Sequence, residues 1–170
     1  GHGASSAMGA VDDVTPNANE EAWADVTGAS AAPGGTGGLN MFHYSNSSLM
    51  DGLTVSASYT PSNGTTEVES SSDYGIVYTG IDGVTIGAAQ GEDNTSSSAG
   101  VETETMYVTY TFDSFSVGYQ TSEDDSETAN SDQDFTALGI SYAVSDDMSV
   151  SLNTSTHEYE SSTLSDQEAM

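Results

Sequence analysis

The sequence of 170 residues contains no Cys, no Lys or Arg, and only 3 Pro. Without Cys there is no disulfide framework, no thiolate metal site and no Cys nucleophile. Without Lys or Arg the chain has no side-chain cation that is permanently charged at pH 7. This excludes nucleic-acid binding by phosphate neutralisation and a polybasic membrane-surface site. No apolar run is long enough for a membrane-spanning helix.

Acidic residues are abundant: the chain carries 27 Asp and Glu and a formal net charge of −27. Its natural small partners are therefore cations. Apolar residues make up 35% of the chain, which is below the roughly 45–50% of soluble globular domains, so no large conventional core is expected. The chain does not open with a charged stretch followed by an apolar one, so no signal peptide is predicted.

Four short turn signals recur along the chain, about 31–33 residues apart. Segments that alternate apolar and polar residues with period two flank each turn, which is typical of β-strands with two different faces. Together with a first strand near residues 40–48, the pattern predicts eight strands. Long polar stretches at 60–73, 91–104, 122–134 and 158–168 occupy the other strand ends. The turn signals are Asp51-Gly52, Asp82-Gly83, Asp113-Ser114 and Asp146-Asp147.

The position of the charges is as informative as their number. The pattern assigns all 27 acids to long loops, short turns or the segment before Asn40, and none to a strand. Uncharged strands suit lipid, where a basic side chain at the bilayer midplane costs about 2–4 kcal/mol. Short turns on one rim and long loops on the other are typical of outer-membrane barrels. Aromatic residues near the strand ends also suggest two interfacial girdles: Phe112, Phe115 and Tyr142 toward the short turns, and Tyr59, Tyr74 and Tyr119 toward the long loops.

The predicted fold class is all-β: an antiparallel transmembrane β-barrel of which about eight strands are present. A soluble β-sandwich with the same residues in its core is the alternative, since aromatic residues are common in strands. Because neighbouring strand residues point to opposite faces, the barrel predicts two sets of side chains. The lipid-facing set is Val108, Tyr110, Val117 and Ile140, and the lumen-facing set is Thr109, Thr111, Gly118 and Ser141.

One stretch resembles a known family. Asn40-Met-Phe-His-Tyr-Ser-Asn-Ser, followed by an alternating strand from Met50 to Tyr59, is similar to the general porins of Gram-negative bacteria just after their constriction loop. Asn40, Tyr44, Gly52 and Tyr59 match, whereas His43 stands where the family usually has Arg. A His is largely neutral at pH 7, so the basic wall that faces the acidic loop in the family would be missing here.

The resemblance implies that residues 1–38, rich in Gly and Ala, are the constriction loop, and that residues 39–170 are hairpins of the barrel wall. A disordered leader is the alternative interpretation of residues 1–38. The resemblance also implies the outer membrane of a Gram-negative bacterium, contact with its lipid, and a homotrimer. Family members have about sixteen strands and end on an aromatic residue, so this chain, which ends at Met170, is interpreted as a fragment. The expected pore and selectivity residues are Asp12, Asp13, Glu20, Glu21, Asp25 and His43.

The sequence predicts a channel, not an enzyme: a passive aqueous pore for small hydrophilic solutes that favours cations. No Gly-x-Ser-x-Gly elbow is present and His2, His43 and His157 are scattered, so no catalytic or metal site and no cofactor are expected. The acids at 123–127 are interpreted as a solvated loop, with a weak Ca²⁺ or Mg²⁺ site as the alternative. Two other functions stay open: an acidic secreted or cell-surface β-protein that depends on divalent cations, and an eight-stranded barrel that serves only as an anchor.

Overall fold

The computed structural model describes residues 6–11, 14–16, 41–62, 69–94, 100–160 and 165–169. Most of these residues form one antiparallel sheet of nine strands, which lie side by side in sequence order. Among the described residues the sheet is open, with the first and last strands at its edges. The strands are β1 (Phe42–Met50), β2 (Leu53–Thr60), β3 (Ser71–Ile81), β4 (Val84–Asp93), β5 (Val101–Phe112), β6 (Phe115–Ser126), β7 (Gln133–Ser145), β8 (Met148–Tyr159) and β9 (Gln167–Ala169).

The four predicted short turns are confirmed, each with two residues between consecutive strands. Gly52 and Gly83 have φ of 76° and 71°, and Asp113 has φ of 53°. These values fall in the left-handed region that tight hairpins require, and Gly, Asn and Asp tolerate it best. The turn chemistry therefore explains why the strands reverse where they do, and it fixes the register of each hairpin.

The pairing registers also confirm the predicted alternation. In β5, β6 and β7, Tyr110, Val117 and Ile140 lie side by side in adjacent strands, and so do Thr109, Gly118 and Gly139 one position away. The sheet consequently has two faces. We call the face with Val108, Tyr110, Val117 and Ile140 the apolar face, and the face with Thr109, Thr111, Gly118 and Ser141 the polar face.

The expectation that no acid lies inside a strand is wrong. The strands continue through much of what the sequence pattern had assigned to loops; β6, for example, extends to Ser126 and β5 starts at Val101. A strand suits hydrocarbon only as far as its first charged side chain. Backbone pairing between the strands continues beyond that point, because charged side chains on an exposed strand face are solvated by water. Tyr119, expected near a strand end, is therefore in the middle of β6. The acids within strands are Asp73, Glu92, Asp93, Glu102, Glu104, Glu123, Asp124, Asp125, Asp134, Glu158 and Glu168.

The ninth strand, of three residues, was not predicted; it pairs with β8 through Ser155, Thr156 and His157. A short 3-10 helix at Met8–Ala10 also forms. In the described part of the chain, no helix has the length and apolar character needed to cross a membrane.

The buried apolar cluster is small. It consists of Met8, Val11, Ala89 and Tyr107, with Val14 and Val77 packed against it. This cluster joins the segment before β1 to strands β3, β4 and β5.

Candidate functional site

The apolar face is exposed along most of the sheet. Val108, Tyr110, Val117 and Ile140 are between 38% and 45% exposed. The same face carries large exposed side chains on every strand from β1 to β8, and soluble monomers rarely expose contiguous apolar patches above a few hundred Å². At the short-turn end the aromatic rings of Phe115 and Tyr142 are in contact, with centroids 4.6 Å apart and ring planes tilted by 40°. The face is suited to contact with an apolar medium.

Carboxylates mark where this apolar band ends. On the long-loop side, Glu104 pairs directly with Glu123, Glu123 with Asp134, and Asp134 with Glu158. All four side chains are exposed. Like charges at directly opposite positions repel each other, and water and salt are needed to screen them. This row therefore needs contact with water, and the uncharged part of the apolar face lies between the row and the short turns.

The polar face is covered in part by the chain that precedes the sheet. Residues 6–11 and 14–16, here called the crossing segment, lie against this face. Ser6, Ala7, Met8, Val11 and Thr15 are all buried. The segment runs diagonally: its start lies at β2 and β3, its middle at β4 to β6, and its end at β6 and β7.

The start of the crossing segment is held by hydrogen bonds. The backbone N–H of Ala7 donates to Ser58 Oγ at 3.0 Å and to Asp73 Oδ1 at 3.2 Å. His43 Nδ1 lies 3.0 Å from the same Ser58 Oγ. Asp73 is fully buried, so its carboxyl group is shielded from direct contact with solvent.

The middle of the segment combines apolar packing with one buried amide. Met8 and Val11 fill the space beside Ala89 and Tyr107. The Gln120 side chain, which is fully buried, donates from Nε2 to the Val11 carbonyl oxygen at 2.8 Å. A buried backbone carbonyl without a partner is costly, so this bond fixes the height at which the segment crosses β6.

The end of the segment lies over two glycines that pair directly across β6 and β7. A Cβ at Gly118 would lie 2.6 Å from Pro16 Cδ, and a Cβ at Gly139 would lie 2.8 Å from the Pro16 carbonyl carbon and would overlap its oxygen. Non-bonded contacts of a Cβ atom are essentially never this short. Only residues without a side chain allow Pro16 to approach the wall this closely.

A second carboxylate on the polar face is Asp124. It lies in β6 between Glu123 and Asp125, whose exposed charges on the other face place it beyond the apolar band. Burial raises the pKa of Asp124 to about 6, against a smaller lowering by the hydrogen bond from Thr103. Thr103 Oγ1 donates to Asp124 Oδ1 at 2.6 Å.

Acids also crowd together at the long-loop rim. The pKa of Glu160 is raised because its carboxyl shares a hydrogen bond with Asp132 and lies beside the negative charge of that residue. Acidic side chains thus occur both at the rim and on the polar face. Among the described residues no group of three or more His, Asp or Glu is arranged to hold a metal ion.

The predicted site residues divide into two groups. His43 lies at the start of the crossing segment, as described above. The five predicted selectivity acids, Asp12, Asp13, Glu20, Glu21 and Asp25, lie outside the described residues.

Sequence reasoning missed Asp73, Gln120 and Asp124 as polar-face residues. The two acids were assigned to loops. If the alternation of the strands is continued past the predicted strand ends, Asp73 falls on the same face as Gly75, and Asp124 on the same face as Ser122.

An antiparallel sheet in sequence order, joined by two-residue turns on one rim, apolar on one face and polar on the other, defines the wall of a membrane β-barrel. Consistent with this class, the family model for Gram-negative porins matches residues 3–169. The chain belongs to the Gram-negative porin family and is a protein of the outer membrane. Neither a curated protein nor a solved structure matches it.

Proposed function

We propose that the protein forms a passive, water-filled channel for small hydrophilic solutes and that this channel favours cations. The observation that carries the proposal is the crossing segment, which lies on the polar face and leaves the apolar face bare. In this proposal the apolar face contacts outer-membrane lipid and the polar face lines the lumen. Residues 1–38 then act as the constriction loop, and residues 39–170 as the wall.

The orientation is supported by the chemistry of each face. A barrel in lipid needs apolar side chains outside, whereas a water-filled lumen accepts Ser, Thr, Gly and carboxylates. Asp73 and Asp124 lie on the polar face, which is the face that also carries the crossing segment. If the crossing segment packed against the apolar face instead, it would cover the surface that lipid contacts in this proposal.

The preference for cations is supported by the charge balance. With 27 acids and no Lys or Arg, the chain has no permanent positive charge to offset the carboxylates. The potential near the pore is therefore negative, and it extends over about one Debye length, roughly 8–10 Å at physiological ionic strength. Selectivity should weaken as salt concentration rises.

Reversal potentials across planar bilayers in a KCl gradient test this function. The wild-type channel should give the sign expected for cation permeation. Replacing Asp12, Asp13, Glu20, Glu21 and Asp25 by Asn or Gln should move the reversal potential toward zero. An anion-selective wild-type pore would contradict the proposal, unless further strands carry a dense basic wall.

Assembly as a homotrimer rests on the family resemblance alone. Light scattering of the detergent-solubilised protein after size-exclusion chromatography should give the mass of three chains. Extraction separates the channel from the acidic surface protein. A secreted or surface module is released from cells into buffer, whereas a membrane barrel needs detergent.

A further inference from the structure

We infer that Gly118 and Gly139 are positioning residues: they form a side-chain-free seat for Pro16 that sets how far the crossing segment projects into the pore. The inference rests on the proposed channel function. It goes further by naming the wall residues that determine the width of the aqueous path.

The two glycines contact different parts of Pro16. At Gly118 the atom that a new methyl group would meet most closely is Pro16 Cδ, which belongs to the proline ring, at 2.6 Å. At Gly139 the methyl group would meet the backbone carbonyl of Pro16 instead. A ring can be removed by mutation, but a backbone carbonyl cannot. The two positions therefore respond differently to the same change at Pro16.

The rest of the segment limits how it can respond to a displaced Pro16. Ala7 is bound to Ser58 and Asp73, and Val11 is bound by Gln120. With these two points fixed, a methyl group beneath Pro16 pushes the end of the segment away from the wall. In a lumen, that movement narrows the aqueous path, and conductance depends on the width of that path.

The test uses the full chain in planar bilayers, with single-channel conductance as the measurement. Gly118→Ala should lower the conductance. The double variant Pro16→Ala with Gly118→Ala should return the conductance most of the way to that of Pro16→Ala alone. The closest contact of the methyl group, with the proline ring, is then gone, while Thr109 Cγ2 and Thr15 Cα stay 3.2 Å away. Gly139→Ala should lower the conductance as well, and Pro16→Ala should not restore it.

The matched control is Ser141→Thr. It also adds one methyl group to the polar face of β7, two residues nearer the short turn than Gly139, at a half-exposed position. Its conductance should equal that of the wild type. A general loss of stability from added wall volume would affect all three positions and would show no selective rescue by Pro16→Ala.

Several outcomes would overturn the inference. These are an unchanged conductance in Gly118→Ala and Gly139→Ala, an increased conductance from release of the segment, or a Gly118→Ala defect that Pro16→Ala does not correct. If Gly118→Ala fails to insert into the bilayer, insertion of the double variant supports the seat and failure of both contradicts it. A wild-type protein that conducts no ions refutes the proposed channel itself, whereas a conducting wild type with insensitive glycine variants refutes only the seat.

Discussion

The apolar face and the polar face of β5, β6 and β7 share one backbone but differ in what covers them. Val108 and Tyr110 are exposed, whereas Tyr107, in the same strand but on the other face, is buried beneath the crossing segment. Side-chain hydrophobicity alone therefore does not determine burial here. Side chains are buried on the face against which the crossing segment packs. In the proposed channel, lipid covers the other face, as a protein core would in a soluble protein.

The largest effect should come from placing a charge on the apolar face. Val108→Arg should cost about 2–4 kcal/mol of barrel stability, because it puts a cation into hydrocarbon. Thr111→Arg, exposed on the polar face of the same strand, should be tolerated. Thr109, on the same face, is a poorer control, because its methyl carbon lies 3.2 Å from the position that a Cβ at Gly118 would occupy.

Denaturant unfolding of the two Arg variants in lipid vesicles measures this difference. Equal losses of stability would remove the distinction between the faces and would favour a soluble sandwich.

Chemical labelling sharpens the same comparison without adding charge. Because the chain has no Cys, a single introduced thiol reports on one position. Ser116→Cys should react with a membrane-impermeant thiol reagent much faster than Val117→Cys in vesicles, since adjacent residues of β6 point to opposite faces. In detergent-free denaturant both thiols should react alike, which controls for intrinsic reactivity. Equal rates in vesicles would reverse the assignment of lipid and lumen.

A smaller effect should separate two neighbouring acids. The polar face carries Asp124, whereas Glu123 points to the other side of the sheet. Asp124→Asn should move the reversal potential in a KCl gradient toward zero more than Glu123→Gln does, although each variant removes one charge. The acids at 123–127, which the sequence pattern assigned to one solvated loop, are thus divided between the two faces of β6. A larger shift in Glu123→Gln would be inconsistent with a lumen on the polar face.

The smallest effect should be a dependence on pH. Burial raises the pKa of Asp124 to about 6, so its carboxylate is charged above that pH and neutral below it. Cation selectivity should therefore decrease as pH falls from 7.5 to 5, a range in which acids of ordinary pKa remain ionised. Thr103 from β5 and Gln133 from β7 flank this carboxyl, and neither titrates.

Reversal potentials of the wild type and of Asp124→Asn across this pH range provide the measurement. The His residues remain in the variant, so any change that they cause persists. A pH step of the same size in Asp124→Asn would show that Asp124 is not its source.

Much of the wall was predictable because its signals are local. The four turns are encoded by Asp-Gly, Asp-Ser and Asp-Asp pairs, and the two faces by alternation over five to seven residues. Strand ends were less predictable. The sequence pattern treated acids such as Glu104 and Asp124 as loop markers, but backbone pairing depends on the neighbouring strand and continues where water can solvate the charges.

The candidate site was predictable only in part. His43 was found through its place in a motif, whereas Gln120 gave no local signal, because its role depends on a carbonyl more than one hundred residues away in sequence. The same holds for Gly118 and Gly139: Gly in a strand indicates a close approach, but not which segment approaches.

The sequence by itself determined the hairpin repeat, the two-faced strands and the uniformly negative charge, since composition, turn residues and period-two alternation act over a few neighbouring residues. Only the tertiary structure decided which face receives the crossing segment, which acids share that face and where Pro16 meets the wall. These are contacts between residues far apart in the chain, and they depend on the register of several strands at once.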